Sequence, residues 1–137
     1  MAEKGKEYSD EQLKAIYELG RMYYEMGYFA PAERIFAGLI GVDNGRTPAR
    51  LGLALVKLER GALQEAAQHF RAALQNTGIA MQTKLGLAAA FVAAGELNRA
   101  RSILGEVSKE AANLGKNAEE KELRALWEAL AIRTGSI

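Results

Sequence analysis

Three glycines, Gly27, Gly61 and Gly95, stand 34 residues apart. Ala32, Ala66 and Ala100 keep the same interval, as do Phe29, Leu63 and Leu97. So do Phe36, Phe70 and Leu104, then Leu19, Leu53 and Leu87. The quartet Leu51-Gly52-Leu53-Ala54 returns as Leu85-Gly86-Leu87-Ala88. Several columns held in one register describe a chain of stacked supersecondary units, each burying its apolar face only against its neighbours. A length of 137 residues accommodates three such units and a remainder. That is one domain with one continuous core, without room for a second.

The unit is helical. Proline occurs only twice, while the strong helix formers Ala, Leu, Glu, Gln and Arg are abundant. The recurring glycine then marks the end of the first helix of each unit, where a left-handed cap is needed. Ser9-Asp10-Glu11-Gln12 reads as a capping box opening the first helix. Thr47-Pro48 reads as an N-cap followed by proline at the first helical position. Asn117-Ala118-Glu119-Glu120 reads as another capped start, and Leu123, Leu126, Trp127 and Leu130 behind it share one face. The expected helices lie near 10–26, 29–42, 47–60, 63–76, 80–94, 97–114 and 118–133, the last one covering the open end of the stack. No proline stops the sixth, so it is expected to continue to about Gly115. Residues 1–8 and 134–137 are expected to fray.

Most chemistry is excluded by what is missing. Eighteen basic residues against seventeen acidic ones create no field for nucleic acid or an anionic membrane. The absence of cysteine removes disulfides, thiolate metal sites and thiol nucleophiles. His69 is the single histidine, so no site can use two imidazoles, and it reads as a surface or boundary residue. Gly38, Gly41 and Gly45 lack the spacing, the Lys-Ser/Thr ending and the preceding strand of a phosphate loop. They read as close helix packing at Gly38 and Gly41, with a turn at Asn44-Gly45. Glu119-Glu120-Lys121-Glu122 reads as a solvated face, with Glu119 or Glu120 able to pair with Arg124. The expectation is a protein without catalytic residues, metal or cofactor. The first residues lack the apolar core of a signal peptide, and the run Leu85 to Gly95 is shorter than the ~20 residues of a membrane span. A soluble, cytoplasmic protein is expected.

In these columns the sequence resembles the tetratricopeptide repeat family, whose period is the same. Leu19-Gly20, Gly27, Phe29, Ala32 and Phe36 fit the family pattern in the first copy. Leu53-Ala54, Gly61, Leu63, Ala66 and Phe70 fit it in the second, and Leu87-Ala88, Gly95, Leu97, Ala100 and Leu104 in the third. The family's early Trp is replaced by Ile16, Arg50 and Lys84, and its closing Pro by Asn44, Gly78 and Ala112. The resemblance implies an all-α, right-handed superhelix forming a single domain over 1–137. Its three helix-turn-helix repeats fall at 13–46, 47–80 and 81–114, with a capping helix at 117–133.

It also implies a concave groove lined by the first helix of each repeat. The ligand-facing positions are Lys14, Tyr17, Glu18, Arg21, Tyr24 and Glu25 in the first repeat. They are Pro48, Leu51, Gly52, Leu55, Leu58 and Glu59 in the second, and Gln82, Leu85, Gly86, Ala89, Val92 and Ala93 in the third. The basic carboxylate clamp of members that bind chaperone tails is missing, and the surface is apolar with tyrosine hydroxyls at one end. Such a groove suits an extended segment dropping aliphatic side chains into pockets. Leu51, Leu55 and Leu85 would form those pockets, and Tyr17 and Tyr24 would bond the peptide backbone. Gly52 and Gly86 have two readings, room for a ligand backbone or relief of crowding between helices.

Tyr23-Tyr24-Glu25-Met26-Gly27-Tyr28-Phe29, Ala32-Glu33-Arg34-Ile35-Phe36 and Leu39-Ile40-Gly41-Val42-Asp43 also resemble the class II (translocator) chaperones of bacterial type III secretion. So do Leu51-Gly52-Leu53 and the small-residue stretch from Ala88 to Gly95. That resemblance implies a cytoplasmic chaperone holding a secreted translocator by an extended segment, without a cofactor and with a homodimer as one possible state. Two other classes remain open. One is a scaffold of a bacterial multiprotein complex, and the other a purely structural repeat, natural or engineered, without a dedicated ligand.

Overall fold

The computed structural model describes residues 8–43 and 47–137. The turn expected at Asn44-Gly45 lies outside the described residues. Among those described, the chain is entirely helical: α1 (Asp10–Glu25), α2 (Phe29–Asp43), α3 (Ala49–Glu59), α4 (Leu63–Ala73), α5 (Ala80–Ala93), α6 (Leu97–Glu106), α7 (Ser108–Ala112) and α8 (Ala118–Thr134). A 3-10 turn at Thr77–Ile79 leads into α5. Each helix packs on the next, so α1/α2, α3/α4 and α5/α6 form successive hairpins, and α8 lies across both α5 and α6.

The hairpin turns repeat because their chemistry repeats. Gly27, Gly61 and Gly95 have φ of +84°, +80° and +79°, a region in which a side chain would be strained. In each case the glycine N–H donates back to Tyr24, Leu58 or Val92. The next residue donates to Tyr23, Lys57 or Phe91, over 2.8–3.1 Å. This pair of bonds satisfies carbonyls left open at the helix end, and it reverses the chain within two residues. Gly135, at φ +75°, closes α8 in the same way. The helix therefore holds through Thr134, which is buried and whose carbonyl accepts from Arg101, where fraying from residue 134 was expected.

Helix starts are more varied. Ser9 and Gln12 form the expected capping box, and the Asn117 side chain accepts from the Glu120 N–H. Thr47 does not cap α3. Its hydroxyl and N–H both go to the Asp43 carboxylate, and α3 begins at Ala49 behind Pro48 without a side-chain cap. Glu120 does not pair with Arg124 either. Its carboxylate accepts from the N–H groups of Gly115 and Lys116, while Arg124 reaches Glu128 and the Leu114 carbonyl. The sixth helix, expected to run unbroken, stops at Glu106 and resumes as α7. Gly105 weakens the helix there, Ser108 Oγ donates to the Gly105 carbonyl, and Val107 turns into the core.

Between repeats the core is a set of rings seated on glycines. A Cβ at Gly20 or Gly52 would come within 2.7 and 2.6 Å of the Phe36 ring, and one at Gly86 would overlap the Phe70 ring. The fully buried Ala32, Ala54, Ala66, Ala88 and Ala100 keep the surrounding helices close. Gly38 and Gly41 play no such part: they are exposed, with nothing near, against the expectation of close packing. At the far end Leu130 and Ala131 of α8 join Leu85, Ala88, Leu104 and Val107, and Trp127 Nε1 donates to the Leu104 carbonyl at 3.0 Å. Among the described residues, nothing covers the corresponding face at the other end of the stack. Leu19 and Met22 are exposed, although their equivalents Leu53, Val56, Leu87 and Ala90 are buried against a preceding repeat.

Two outcomes follow from this packing. Gly86→Ala should lower unfolding free energy by about 1–3 kcal/mol through overpacking on Phe70, while Gly38→Ala should raise it by about 0.5–1 kcal/mol. Urea denaturation of both variants separates the two kinds of glycine. Removing residues 117–137 should lower the melting midpoint and increase aggregation, because Leu85, Leu104 and Val107 would lose their cover.

Candidate peptide-binding groove

The ligand-facing columns do not share one fate. The column of Tyr17, Leu51 and Leu85 is turned inward. Tyr17 is 8% exposed, Leu51 6% and Leu85 0%. Tyr17 stacks at a tilt on Phe36 with ring centroids 5.7 Å apart, and Leu85 lies in the cluster that α8 covers. Gly52 and Gly86 are also buried, and the rings of Phe36 and Phe70 fill the space beside them. Of their two readings, relief of crowding is the one the packing supports. Leu51, Leu85, Gly52 and Gly86 thus form the floor beneath the groove, where pockets and backbone room were expected.

What stays open is the next pair of columns. Arg21, Leu55 and Ala89 are half-buried, and so are Tyr24, Leu58 and Val92. Leu55 and Leu58 pack at the edge of the core between the second and third repeats, and Val92 joins it from α5. They form an apolar strip crossing α3 and α5. Beside α1 the surface changes character. Arg21 donates to the Tyr17 hydroxyl at 3.2 Å and to Glu25 at 3.0 Å, while the Tyr24 hydroxyl donates to Glu59 at 3.4 Å. Both hydroxyls expected to meet a ligand backbone are therefore already engaged. Burial raises the Tyr17 hydroxyl above its ordinary value, with Arg21 pulling the other way. Burial and the adjacent Glu59 carboxylate push Tyr24 up to about 12, so both hydroxyls are neutral near pH 7.

A second opening was not anticipated as a unit. Leu13, Lys14, Tyr17 and Glu18 of α1 face Thr47 and Pro48 across a mostly apolar hollow of about 510 Å³. Lys14, Tyr17, Glu18 and Pro48 had each been assigned to the groove. The signal that could have linked them is that they sit at matching early positions of neighbouring repeats. A more polar cleft of about 280 Å³ adjoins it across Thr47 and Pro48, between the end of α2 and the end of α4, and is lined by Asp43, Arg50, Gln75 and Asn76 among others.

No other chemistry gathers around the groove. His69 is half-buried, and burial, helped by Arg50 and Lys57, lowers its pKa below the usual imidazole value. Among the described residues no group of three or more His, Asp or Glu could hold a metal ion. Nor is any of their helices long and apolar enough to cross a membrane.

No curated protein matches the chain significantly in sequence. Solved structures do match in fold. PcrH from Pseudomonas aeruginosa superposes with a TM-score of 0.78 at 22% identity, over 93% of this chain and 95% of that one. PcrH in complex with the chaperone binding region of PopD gives 0.79 at 22% identity, over 94% and 95%. The Yersinia enterocolitica type III secretion chaperone SycD, in complex with a peptide of the translocator YopD, gives 0.73 at 22% identity, over 91% and 96%. The family model described as tetratricopeptide repeat matches residues 57–126. That span runs from the end of α3 into α8, and the same glycine-capped hairpin precedes it at Gly27. The chain belongs to the tetratricopeptide repeat family.

Proposed function

We propose that the chain is a cytoplasmic, non-catalytic chaperone of the type III secretion translocator class, holding an extended apolar segment of its partner in the concave groove. The observation that carries this reading is the half-buried strip of Leu55, Leu58, Ala89 and Val92, an apolar surface that ordinary core packing would have closed. Tyr17, Arg21 and Tyr24 edge it on one side, and Leu51, Gly52, Leu85 and Gly86 support it from below. The likeness to PcrH and SycD, solved with translocator segments, agrees with such a use. The reading involves no cofactor, nucleic acid or membrane. Each apolar anchor that covers the strip contributes about 1–3 kcal/mol before association costs are subtracted.

The face of α1 that is exposed among the described residues favours a second reading. Ala15, Leu19 and Met22 occupy columns that α3 and α5 bury against a preceding repeat, and Met26 and Tyr28 extend the patch with 56% and 54% exposure. A scaffold would assemble through that end and leave the groove empty.

Titration of translocator segments by calorimetry, the chaperone binding region of PopD among them, distinguishes the two. Leu55→Glu should weaken binding tenfold or more with helical circular dichroism unchanged, because its side chain already meets solvent. Leu85→Glu should instead unfold the third repeat, since it buries a carboxylate without a partner. Equal binding by wild type and Leu55→Glu would move the contact to the α1 face.

A further inference from the structure

The groove has one electronegative border, and this bears on what occupies it. The chemistry inferred below rests on the groove reading above. Glu25 and Glu59 occupy the same position at the ends of α1 and α3, both exposed, beside Tyr24 and Leu58. Ala93, their equivalent on α5, is exposed and neutral. The first helices of all three repeats end along this border, so their C-terminal dipoles add negative potential there. Neither α1 nor α5 has a basic residue in its last turn to offset it.

The nearby cations are committed. Lys57 bridges Glu33 and Glu65 at 3.2 and 3.1 Å, and Arg60 reaches Glu33 at 2.8 Å. Arg21 is shared between Tyr17 and Glu25. Lys14 belongs to the opposite end of α1, beside the hollow. Glu59 receives one bond of 3.4 Å from the Tyr24 hydroxyl, which leaves a solvent-facing carboxylate next to an apolar strip. We propose that the segment held by the groove carries a lysine or arginine beside its apolar anchors, seated over Glu59 with the Arg21-paired Glu25 beside it. The aliphatic stem of such a residue extends the apolar contact across Leu58, while its charged end reaches the carboxylates.

The test is a phage-displayed library of random dodecapeptides selected on three forms of the full chain: wild type, Leu55→Glu and the double variant Glu25→Gln/Glu59→Gln. Wild type should enrich Lys or Arg at one position flanking an apolar pair, and the double variant should lose that preference while keeping the apolar pair. In calorimetry, changing the enriched Lys to Gln in a selected peptide should weaken binding about threefold to fivefold at low salt. The difference should vanish near 0.5 M salt, where screening acts over about 4 Å. Selection of apolar pairs without a basic flank, or the same flank on the double variant, overturns the charge assignment and leaves the groove standing. Identical selections on Leu55→Glu, or no selected binder at all, overturn the groove reading and the charge assignment together.

Discussion

The stack depends on a ring that fits where a side chain is missing. Phe36 lies against Gly20 of its own repeat and Gly52 of the next, and Phe70 against Gly86 of the third. A single residue thereby locks the hairpin and joins it to its neighbour. This is the contact that makes a repeat of two short helices stable at all, since α3 and α4 have only 11 residues each and could not persist alone. Leu104 takes the same position in the third repeat, and no fourth repeat meets it. There α8 supplies Leu130, Ala131 and the indole of Trp127 instead, so the cap repeats the task of a repeat with different residues.

Polar links follow the same logic of neighbours. Lys57 stands between Glu33 of one repeat and Glu65 of its own, tying α2 to the second hairpin. One repeat later Phe91 occupies the Lys57 position, with the guanidinium groups of Arg71 and Arg99 at 5.7 and 5.6 Å from its ring. Exposed charge pairs of this kind contribute little stability each. On the groove side Glu25 is held by Arg21, while Glu59 receives only the Tyr24 hydroxyl.

The groove is a by-product of the stacking before it is a site. Where neighbouring repeats close on one another, Leu51 and Leu85 go inward and Gly52 and Gly86 vanish under rings. Toward the C-terminal ends of the first helices, Leu55, Leu58, Ala89 and Val92 are left half covered. The same residue types thus serve as core or surface according to depth along one helix. At the opposite end, Leu19 and Met22 carry the same apolar columns and are exposed among the described residues.

The period and the helix-forming composition together determined the hairpins and their turns, because Gly27, Gly61 and Gly95 act through local backbone conformation and need no distant partner. Ser9 and Asn117 were legible as caps for the same reason. Thr47 misled because Asp43, four residues back, competes for its hydroxyl, and Glu120 because backbone N–H groups claim its carboxylate before Arg124 can. Tyr17, Arg21 and Tyr24 lie on α1, Leu51, Gly52, Leu55 and Leu58 on α3, and Leu85, Gly86, Ala89 and Val92 on α5, since helix phase follows from sequence spacing. Which of them meet solvent was decided only by tertiary structure. Exposure depends on what the neighbouring helix puts opposite each position, and for Leu85 that neighbour is α8, whose nearest core partners, Leu130 and Ala131, lie far along the chain.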